Sequence, residues 1–561
     1  MKRLLASLLC FIMLLLPCVE YAEATGQTKT EIEKQTILAA LFEADLSALR
    51  LAIDEGLITS TELTQYYLDR IEKYDEPFNC FITLCEDALQ IASERDEQIA
   101  KGEGKGLLFG IPIVVKDNMD LEGVHTTNGL KKDEKQIADS NADVVEYLLS
   151  EGAVIIAKAN MSTEAQNALR SYSQAAGETK NAYNRYLAAG GSSGGSAVST
   201  SLNFTAASLG TDTNSSLRVP AALAGCVSLR PTFGMISVKG IKKLNSTRDV
   251  PGAITRTVYD QAIMLDVLTQ GKFDYAENLN ENALQGMRIG VLKQLSYATT
   301  KTGLRKEENI DTEVVEAFNN AISELKQCGA EVVDVSMSDL FSLSDKTFQN
   351  NKAASKEALY ESFQELLKDE NISAVIYPTY LSTPIRSGRD ADGKYWDVYK
   401  QVNINNCRTL SPSAGVPEIT VPIGVHSLGA GIGMEITSTK NSEQLLLDIA
   451  YSYTNRFDHR QVPAGAPNDH SEFYMGTIPE LIALRNQPVV PEQPNGDRAP
   501  QESTAMTSPV TAEAVTKVKV WPFVLLGILI LVLVCVIIEI RNRRIRRRKR
   551  RERMQRRQTM Q

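Results

Sequence analysis

The chain has 561 residues, of which 43% are hydrophobic, so it is long enough to bury a sizeable core in one large or two medium domains. Its formal net charge is −9, but the last 21 residues alone carry +11 and leave −20 for the rest. Such an acidic body disfavours nucleic acid and anionic surfaces as partners.

The N-terminus has the pattern of a secretory signal peptide, which we predict over residues 1–24. Two basic residues precede an apolar stretch from Leu4 to Leu16, and small residues at Ala22 and Ala24 mark a cleavage point. The five cysteines of the body have irregular spacing and form no recognisable disulfide framework: Cys80, Cys85, Cys226, Cys328 and Cys407. A Cys80–Cys85 pair stays open, but buried free thiols are the expected state.

Helical and strand-like patterns alternate between residues 35 and 485, and we assign this stretch to one catalytic domain. Thr59 and Glu62 form a capping box in front of a helical repeat of apolar residues. The apolar positions of segment 144–149 predict a helix that ends at Gly152, and AVIIAK after it predicts a buried strand.

The second half of this domain repeats the alternation. MRIGVL and AEVVDVS predict two strands, with a helix between them from Glu313 to Cys328 that Gly329 ends. Strands that are apolar on both faces and alternate with helices predict an α/β fold. We expect a mixed, largely parallel twisted sheet covered by helices on both faces.

Three segments of different composition follow the domain. Residues 487–514 are rich in Pro, Gln, Ser and Thr and predict a disordered stalk. Residues 520–540 are mostly apolar and long enough for a single transmembrane helix. Residues 541–561 are strongly basic, which predicts a cytoplasmic tail; a nucleic-acid arm is the alternative. We therefore expect a single-pass protein of the cell membrane with an extracytoplasmic catalytic body.

Two Ser/Gly-rich turns lie in mid-chain and are candidates for a functional backbone. GGSSGGSA starts at Gly190 and precedes a helix-like run, and GTDTNSSLRVP runs from Gly210 to Pro220. A flexible linker is the alternative for a Gly/Ser tract. Both turns are short, lie close together in the sequence and precede apolar residues, which favours turns of a catalytic site over a linker.

The candidate base is a lysine rather than a histidine. The four histidines, at positions 125, 426, 459 and 470, are remote in sequence from both serine turns, although a Ser-His-Asp hydrolase needs one beside its nucleophile. No HExxH, CxxC pair or Walker loop is present, so we expect no metal and no cofactor. Lys116 follows the strand-like run GIPIVV, where burial would lower its pKa and leave an amine able to act as a base. A lysine that reaches out to water is the alternative.

Four motifs, in order, resemble the amidase signature family of Ser-Ser-Lys hydrolases: GIPIVVKDN, GGSSGGSA, GTDTNSSLRVPAALAG and LRPTFGMIS. Further segments, from EGLITSTELTQYYLDRIEKYD to SAGVPEITVPIGV, extend the resemblance over nearly the whole body. The resemblance implies that Lys116 is the base, that Ser192 relays the proton after a cis Gly191–Ser192 peptide bond, and that Ser216 is the nucleophile.

The resemblance also implies an oxyanion hole and supporting groups. The oxyanion would be bound by the backbone N–H groups of Thr213, Asn214, Ser215 and Ser216. Asp212 and Arg218 would form a supporting ion pair, and Ser193 would hold its loop by hydrogen bonds. By family position, Tyr377 to Thr379 and the run from Pro412 to Pro417 would line the acyl pocket. The family usually has Gly-Gly where this chain has Asn214-Ser215, which places the loop geometry and the pocket width in question.

These expectations predict a membrane-tethered amidase that hydrolyses a small-molecule or peptide amide through an acyl-enzyme on Ser216. Two alternatives stay open. One is a transamidase A-subunit-like protein, which export disfavours because charged tRNA is cytosolic. The other is a non-catalytic surface binding protein with the same fold. No nucleic-acid partner is expected, and the substrate and the oligomeric state stay open.

Overall fold

The computed structural model describes residues 29–297, 310–350, 353–382, 385–388, 406–474 and 476–485. The predicted signal peptide (1–24), stalk (487–514), transmembrane helix (520–540) and basic tail (541–561) lie outside the described residues. Within the described ranges, no helix combines the length and the hydropathy that crossing a bilayer requires.

One mixed sheet of eleven strands runs through the described residues. Its strands are β1 (Phe81–Leu84), β2 (Pro112–Lys116), β3 (Val154–Ala159), β6 (Ala207–Asp212), β7 (Val227–Arg230), β8 (Val250–Thr255), β9 (Arg288–Leu292), β10 (Glu331–Val335), β11 (Ala374–Pro378), β12 (Glu418–His426) and β13 (Ala430–Thr437). Their order across the sheet is β1-β3-β2-β6-β8-β7-β12-β13-β11-β9-β10. A separate pair consists of β4 (Tyr172–Ser173) and β5 (Gly177–Glu178).

The prediction of a largely parallel sheet is wrong, although the sheet is mixed as expected. Of the ten neighbouring strand pairs in the described sheet, only four are parallel, those of β2 with β3 and β6 and those of β9 with β10 and β11. The others are antiparallel. The central strands are apolar because both of their faces are covered, and that pattern does not reveal strand direction.

Helices surround the sheet, and several begin at the residues that the sequence marks. The helices are α1 (Lys29–Leu41), α2 (Leu46–Asp54), α3 (Ser60–Tyr74), α4 (Ala88–Ala100), α5 (Asp143–Ser150), α6 (Gly194–Ser201), α7 (Arg218–Leu223), α8 (Val258–Leu268), α9 (Lys293–Ser296), α10 (Thr312–Gln327), α11 (Leu340–Asn350), α12 (Ala353–Asp369), α13 (Ser411–Ala414), α14 (Glu443–Thr454) and α15 (Ile478–Arg485). Short 3-10 helices span Lys131–Asp133, Thr163–Ala165 and Asn406–Arg408. Thr59 and Glu62 form the predicted capping box of α3, and Asp45 and Thr257 cap α2 and α8 through their side chains.

The core lies on both sides of the sheet. Every residue of β2, β3, β6, β8 and β13 is buried. Because successive residues of a strand face opposite sides, both faces of the sheet are covered, as predicted. The five cysteines of the body are buried and free.

The strand directions bring the two candidate motifs to one edge. β2 and β6 are parallel neighbours, with Val115 opposite Leu209. Their carboxyl ends, Lys116 and Asp212, therefore meet at the same edge of the sheet. α6 begins there with the Gly/Ser turn, and α7 begins there two residues after Ser216.

Candidate active site

The Lys116 side chain is fully buried among hydroxyl groups at the end of β2. Its Nζ lies 2.7 Å from Ser192 Oγ, 2.9 Å from Ser193 Oγ and 2.9 Å from Thr211 Oγ1. Burial lowers the pKa of Lys116 to about 7, although the carboxylates of Asp212 and Asp249 act in the opposite direction. Near neutral pH a large fraction of this amine is therefore uncharged, and the alternative of a lysine that reaches water does not hold.

The hydroxyl groups around Lys116 can orient its lone pair. Ser193 Oγ donates its hydrogen to Thr211 O at 3.2 Å, so it faces the amine as an acceptor. Thr211 Oγ1 also accepts a hydrogen bond from Asn118 Nδ2 at 3.2 Å. A neutral amine has two N–H groups and one lone pair. If Ser193 and Thr211 accept the two N–H groups, the lone pair faces the hydroxyl of Ser192.

The glycines of the serine turn are required by close backbone approach. A Cβ on Gly191 would lie 2.4 Å from the Asn167 carbonyl oxygen, and a Cβ on Gly195 would lie 2.4 Å from the carbonyl oxygens of Asn160 and Cys80. No side chain fits at such distances. The turn is thus fixed in its surroundings, and the interpretation as a flexible linker is wrong.

Ser192 and Ser216 lie on two turns that are joined directly. The Gly191–Ser192 peptide bond is cis, as the resemblance implied. The backbone N–H of Ser193 donates to Ser216 O at 3.2 Å. Ser192 is fully buried, whereas Ser216 is 5% exposed and so lies at the edge of the buried group. Among the described residues, no hydrogen bond joins the Ser192 and Ser216 hydroxyls; such bonds commonly tighten only when substrate binds.

The turn before Ser216 carries N–H groups that are available for an oxyanion. Among the described residues, the backbone N–H groups of Thr213, Asn214 and Ser216 donate to no acceptor. The turn is anchored by its side chains instead. Thr213 Oγ1 donates to Asp249 Oδ1 at 2.6 Å, and Asn214 Oδ1 accepts from Arg248 Nη1 at 3.0 Å. Asn214 therefore anchors the turn through its side chain, and the backbone N–H groups of Thr213, Asn214 and Ser216 stay in the turn as donors.

A buried network of charged side chains holds the turn that contains Ser216. Asp212 and Arg218 form the expected ion pair, with Oδ2 and Nε 3.1 Å apart, and Arg230 Nη1 lies 3.1 Å from Asp212 Oδ1. Asp212 Oδ2 also accepts from the backbone N–H of Leu217. Burial raises the pKa of Asp212, but the two guanidinium groups outweigh it and hold that pKa below the usual range. Asp212 is thus a fixed anion bonded to the turn that contains Ser216.

Sequence reasoning missed several members of the site. Thr211 completes the hydroxyl surroundings of Lys116, and Glu418 and Glu435 join Arg218 from β12 and β13. Tyr377 was expected to line the acyl pocket, but it is fully buried and its hydroxyl donates to Glu418. Only the strand register brings these residues together, and no sequence spacing reports it.

A second buried lysine lies on β3, the strand next to that of Lys116. Lys158 of β3 is opposite Val115, so its side chain points to the other face of the sheet from that of Lys116. Its Nζ donates to Thr126 Oγ1 at 3.0 Å and lies 3.8 Å from Asp117 Oδ1. This pair supports the segment after β2 and does not contact the serines.

No group of His, Cys, Asp and Glu residues that could hold a metal ion is found in the part of the chain that the structure describes. The same part contains no hydrogen bond between a histidine and Ser192 or Ser216. The cluster of Lys116, Ser192 and Ser216 contains an amine and hydroxyl groups, which are suited to acid–base and nucleophilic chemistry.

The known proteins that this chain resembles are amidases and amidotransferase subunits. The family model described as Amidase matches residues 62–354. The glutamyl-tRNA(Gln) amidotransferase A-subunit of Thermoanaerobacter pseudethanolicus is 36% identical over 309 residues, which cover 53% of this chain and 61% of that protein. The protein of the same name from Alkaliphilus metalliredigens is 28% identical over 481 residues, which cover 73% of this chain and 95% of that protein.

Solved structures show the same fold. The native peptide amidase from Stenotrophomonas maltophilia superposes with a TM-score of 0.63 at 25% identity, covering 76% of this chain and 99% of that one. An amidase family protein from Bacillus anthracis superposes with a TM-score of 0.64 at 24% identity, covering 78% and 95%.

Proposed function

This chain belongs to the amidase signature family, and we propose that it cleaves the C–N bond of a carboxamide by transferring the acyl group to Ser216. The observation that carries the proposal is the Lys116 amine, which is buried, has a pKa lowered to about 7 and lies 2.7 Å from the hydroxyl of Ser192. An amine in this state is a competent general base.

The proton moves through the two serines in sequence. Lys116 accepts the proton of Ser192, Ser192 accepts the proton of Ser216, and Ser216 Oγ attacks the amide carbonyl carbon. The C–N bond breaks when the relay runs backwards and delivers the proton to the leaving nitrogen. Water then attacks the acyl-Ser216 ester and passes a proton to the relay. The relay returns that proton to Ser216 Oγ as the ester C–O bond breaks, which releases the carboxylic acid.

Backbone N–H groups stabilise the negative charge on the oxygen of the tetrahedral intermediate by hydrogen bonds. The N–H groups of Thr213, Asn214, Ser215 and Ser216 belong to the turn that ends at the nucleophile. Preorganised donors of this kind are worth about 3 kcal/mol each in the transition state. Anchoring of the turn by Asp249 and Arg248 supports the view that the donors are fixed before the substrate arrives.

Two enzymatic settings fit this chemistry: a subunit of an amidotransferase assembly, and an amidase that acts alone. Relatives named as the A-subunit of glutamyl-tRNA(Gln) amidotransferase support a role as the amide-cleaving member of an assembly that passes the nitrogen to an acceptor. The likeness to a peptide amidase supports an enzyme that acts alone on amides. The higher identity to the amidotransferase proteins favours the first setting. Turnover of simple carboxamides by the purified chain alone would favour the second.

We keep an extracytoplasmic, membrane-tethered location as a proposal from the sequence. Its support is the signal-like start and the apolar segment 520–540, followed by a basic tail. Protease treatment of intact cells tests it, since an exported body is digested and a cytoplasmic body is protected. Export would also separate the body from charged tRNA and so disfavour the amidotransferase setting.

A fluorophosphonate probe tests the nucleophile directly. We expect covalent labelling of the full chain at Ser216, abolished in Ser216→Ala and reduced at least about 100-fold in rate in Lys116→Ala, because the base activates the nucleophile. Ser199→Ala is the matched control, since Ser199 is a buried serine of α6 that donates only to Ser196 O. Labelling that persists in Ser216→Ala, or is absent from folded protein, contradicts the proposal; the second result favours a non-catalytic binding protein.

A further inference from the structure

The carboxylate of Asp249 joins the turn before Ser216 to the loop that precedes β8. Its Oδ1 accepts the hydrogen of Thr213 Oγ1 at 2.6 Å. Its Oδ2 accepts from the backbone N–H groups of Leu244 and Asn245 at 2.9 and 2.8 Å. A hydroxyl that lies 2.6 Å from a carboxylate forms a charge-assisted hydrogen bond, which is about twice as strong as a neutral one. One carboxylate therefore holds both segments.

The sheet fixes the position of this carboxylate. Asp212, the last residue of β6, lies opposite Val250, the first residue of β8, in an antiparallel pair. Thr213 and Asp249 are the next residues on the two chains, so their contact continues the register of the strands. Thr213 is 5% exposed, so the hydrogen bond lies in a mostly buried region. Asp249 thus reaches the turn from a rigid element of the fold.

The same carboxylate acts on the candidate base. β6 has β2 as its parallel neighbour on one side and β8 as its antiparallel neighbour on the other, so Lys116 and Asp249 lie at the same edge of the sheet. Burial lowers the pKa of Lys116 to about 7, and the carboxylates of Asp212 and Asp249 act against burial. Among the described residues, these two carboxylates are the charged groups that act on the amine.

The two carboxylates differ in their partners. Asp212 pairs with the guanidinium groups of Arg218 and Arg230, which compensate much of its charge. Asp249 accepts its hydrogen bonds from a hydroxyl and two backbone N–H groups, which are neutral. Burial lowers the pKa of the adjacent Arg248, and Asp249 acts against that effect as well. Replacement of Asp249 therefore changes the charge near the base without uncovering two buried guanidinium groups, as loss of Asp212 would.

An anion at this edge supports the relay at the step where charge appears. When Lys116 accepts the proton of Ser192, a positive charge forms on a fully buried amine. A carboxylate that is fixed beforehand stabilises this charge without reorganisation. Burial alone would lower the pKa of the lysine further, and a weaker base would draw the proton from the serine less effectively.

We propose that Asp249 is a positioning residue of this active site, which fixes the oxyanion-binding turn through Thr213 and stabilises the protonated form of Lys116. The inference rests on the proposed function, because it assigns a role within the same site. It separates into two effects, one that depends on the hydrogen bond to the turn and one that depends on the charge.

The pH dependence of fluorophosphonate labelling at Ser216 separates these effects. In Asp249→Asn the apparent pKa of the second-order rate constant should fall by at least about 0.5 unit, because the ammonium loses an anion. Its plateau should fall at least about tenfold, because the turn is held less firmly. Asp249→Glu keeps the charge, so its apparent pKa should lie closer to the native value. Thr213→Val removes only the hydroxyl and should lower the plateau with the apparent pKa unchanged.

Asp266 provides the matched control. It also holds a loop, since its carboxylate accepts from the backbone N–H groups of Tyr275 and Ala276 at 2.7 and 3.0 Å, but it does not act on Lys116. Asp266→Asn should therefore keep the native apparent pKa. A native apparent pKa in Asp249→Asn, or an equal shift in Asp266→Asn, would overturn the inference, because a merely structural carboxylate would lower the plateau alone.

Thermal melting tests the same coupling without any reaction at Ser216. The full chain, Asp249→Asn, Lys116→Met and the double variant are compared at about pH 5.5 and about pH 9, where folded Lys116 is charged and neutral respectively. We expect the two changes to be coupled at the lower pH and additive at the higher pH. This result supports the inference even if Ser216 is not labelled. Additivity at both pH values overturns it, while labelling of the native chain at Ser216 would still support the proposed function.

Discussion

At the residue scale, the environment of Lys116 determines whether the relay can operate. Its pKa is lowered to about 7 because burial disfavours the charged form. In the proposed relay the base is the neutral amine, so kcat/KM should rise with pH through about 7 and level off above it. Three hydroxyl groups surround the amine, and the charged form can donate to all three whereas the neutral form donates to two.

Removal of one hydroxyl should therefore change both the rate and its pH dependence. In Thr211→Val the ammonium loses an acceptor, so we expect the apparent pKa of kcat/KM to move below that of the native protein. We also expect the plateau to fall about tenfold, because the lone pair is less firmly directed at Ser192. The measurement is a pH–rate profile of both proteins with one amide substrate.

The control makes the same change beside the other buried lysine. Thr126 Oγ1 accepts from Lys158 Nζ at 3.0 Å, so Thr126→Val also removes a hydroxyl from a buried lysine, but on the opposite face of the sheet. It should leave the apparent pKa unchanged. Equal profiles for Thr211→Val and the native protein would show that Thr211 does not influence the base.

The sequence predicted part of this residue-scale arrangement. The apolar run before Lys116 indicated a buried strand end, and the structure places that side chain out of reach of water. Thr211 was not predicted, since a threonine at the end of an apolar strand has no distinctive pattern. Its contact with Lys116 depends on the β2–β6 register, which follows from packing over long sequence separations.

At the element scale, the segment after β2 is held by a buried carboxylate. Asp117 Oδ2 accepts from Thr127 Oγ1 at 2.5 Å and from the backbone N–H of Thr127 at 3.1 Å, and Oδ1 faces Lys158. Burial raises the pKa of Asp117, against Lys158 and these hydrogen bonds. Burial likewise lowers the pKa of Lys158, against Asp117. The two groups thus support each other's charge between β2 and β3.

Loss of this carboxylate should destabilise the protein. We expect Asp117→Asn to lower the free energy of unfolding by about 1–3 kcal/mol, because Lys158 is left buried without its anion. Asp117→Asn/Lys158→Met should recover part of the loss, which thermal melting of the full chain measures as a coupling between the two changes. Asp143→Asn is the control, because its partner Lys239 is 82% exposed and the loss should stay below about 0.5 kcal/mol. Strict additivity of the two changes would contradict the pairing.

Elements were easier to predict from the sequence than their directions. The capping box at Thr59 and Glu62 reports a local event, and α3 begins there. The helix expected from Glu313 to Cys328 is observed as Thr312–Gln327. The antiparallel pairing of β6, β8, β7, β12 and β13 was not predicted, because a strand covered on both faces has the same apolar composition in either direction.

At the scale of the whole molecule, a buried charge cluster joins the turn after β6 to the central strands β12 and β13. Three carboxyl groups, Asp212, Glu418 and Glu435, surround two guanidinium groups, Arg218 and Arg230, and all five side chains are fully buried. With every group ionised, the cluster would carry one uncompensated negative charge in a medium of low polarity. Burial raises the pKa of Glu418, to about 8, and that of Glu435, despite Arg218, so one proton stays on this pair.

This proton makes the stability of the molecule depend on pH. A carboxyl whose pKa is raised on folding binds a proton in the folded state that it has lost in the unfolded state, so its stabilising contribution is complete below about 4.5 and is lost as pH rises through about 8. Glu418→Gln and Glu435→Gln each remove the excess negative charge and with it the need for the proton. Between about pH 5 and pH 8, either variant should therefore gain stability relative to the native protein, by up to about 1.4 kcal/mol per pH unit for one proton.

Thermal melting of the full chains over this pH range measures the gain as a difference between variant and native protein, in which the opposite contribution of Lys116 cancels. Glu331→Gln changes an exposed residue that pairs with Arg288 on the neighbouring strand, and it should follow the native curve. If both cluster variants also follow the native curve, the cluster holds no proton, and the excess charge must be compensated from elsewhere in the fold.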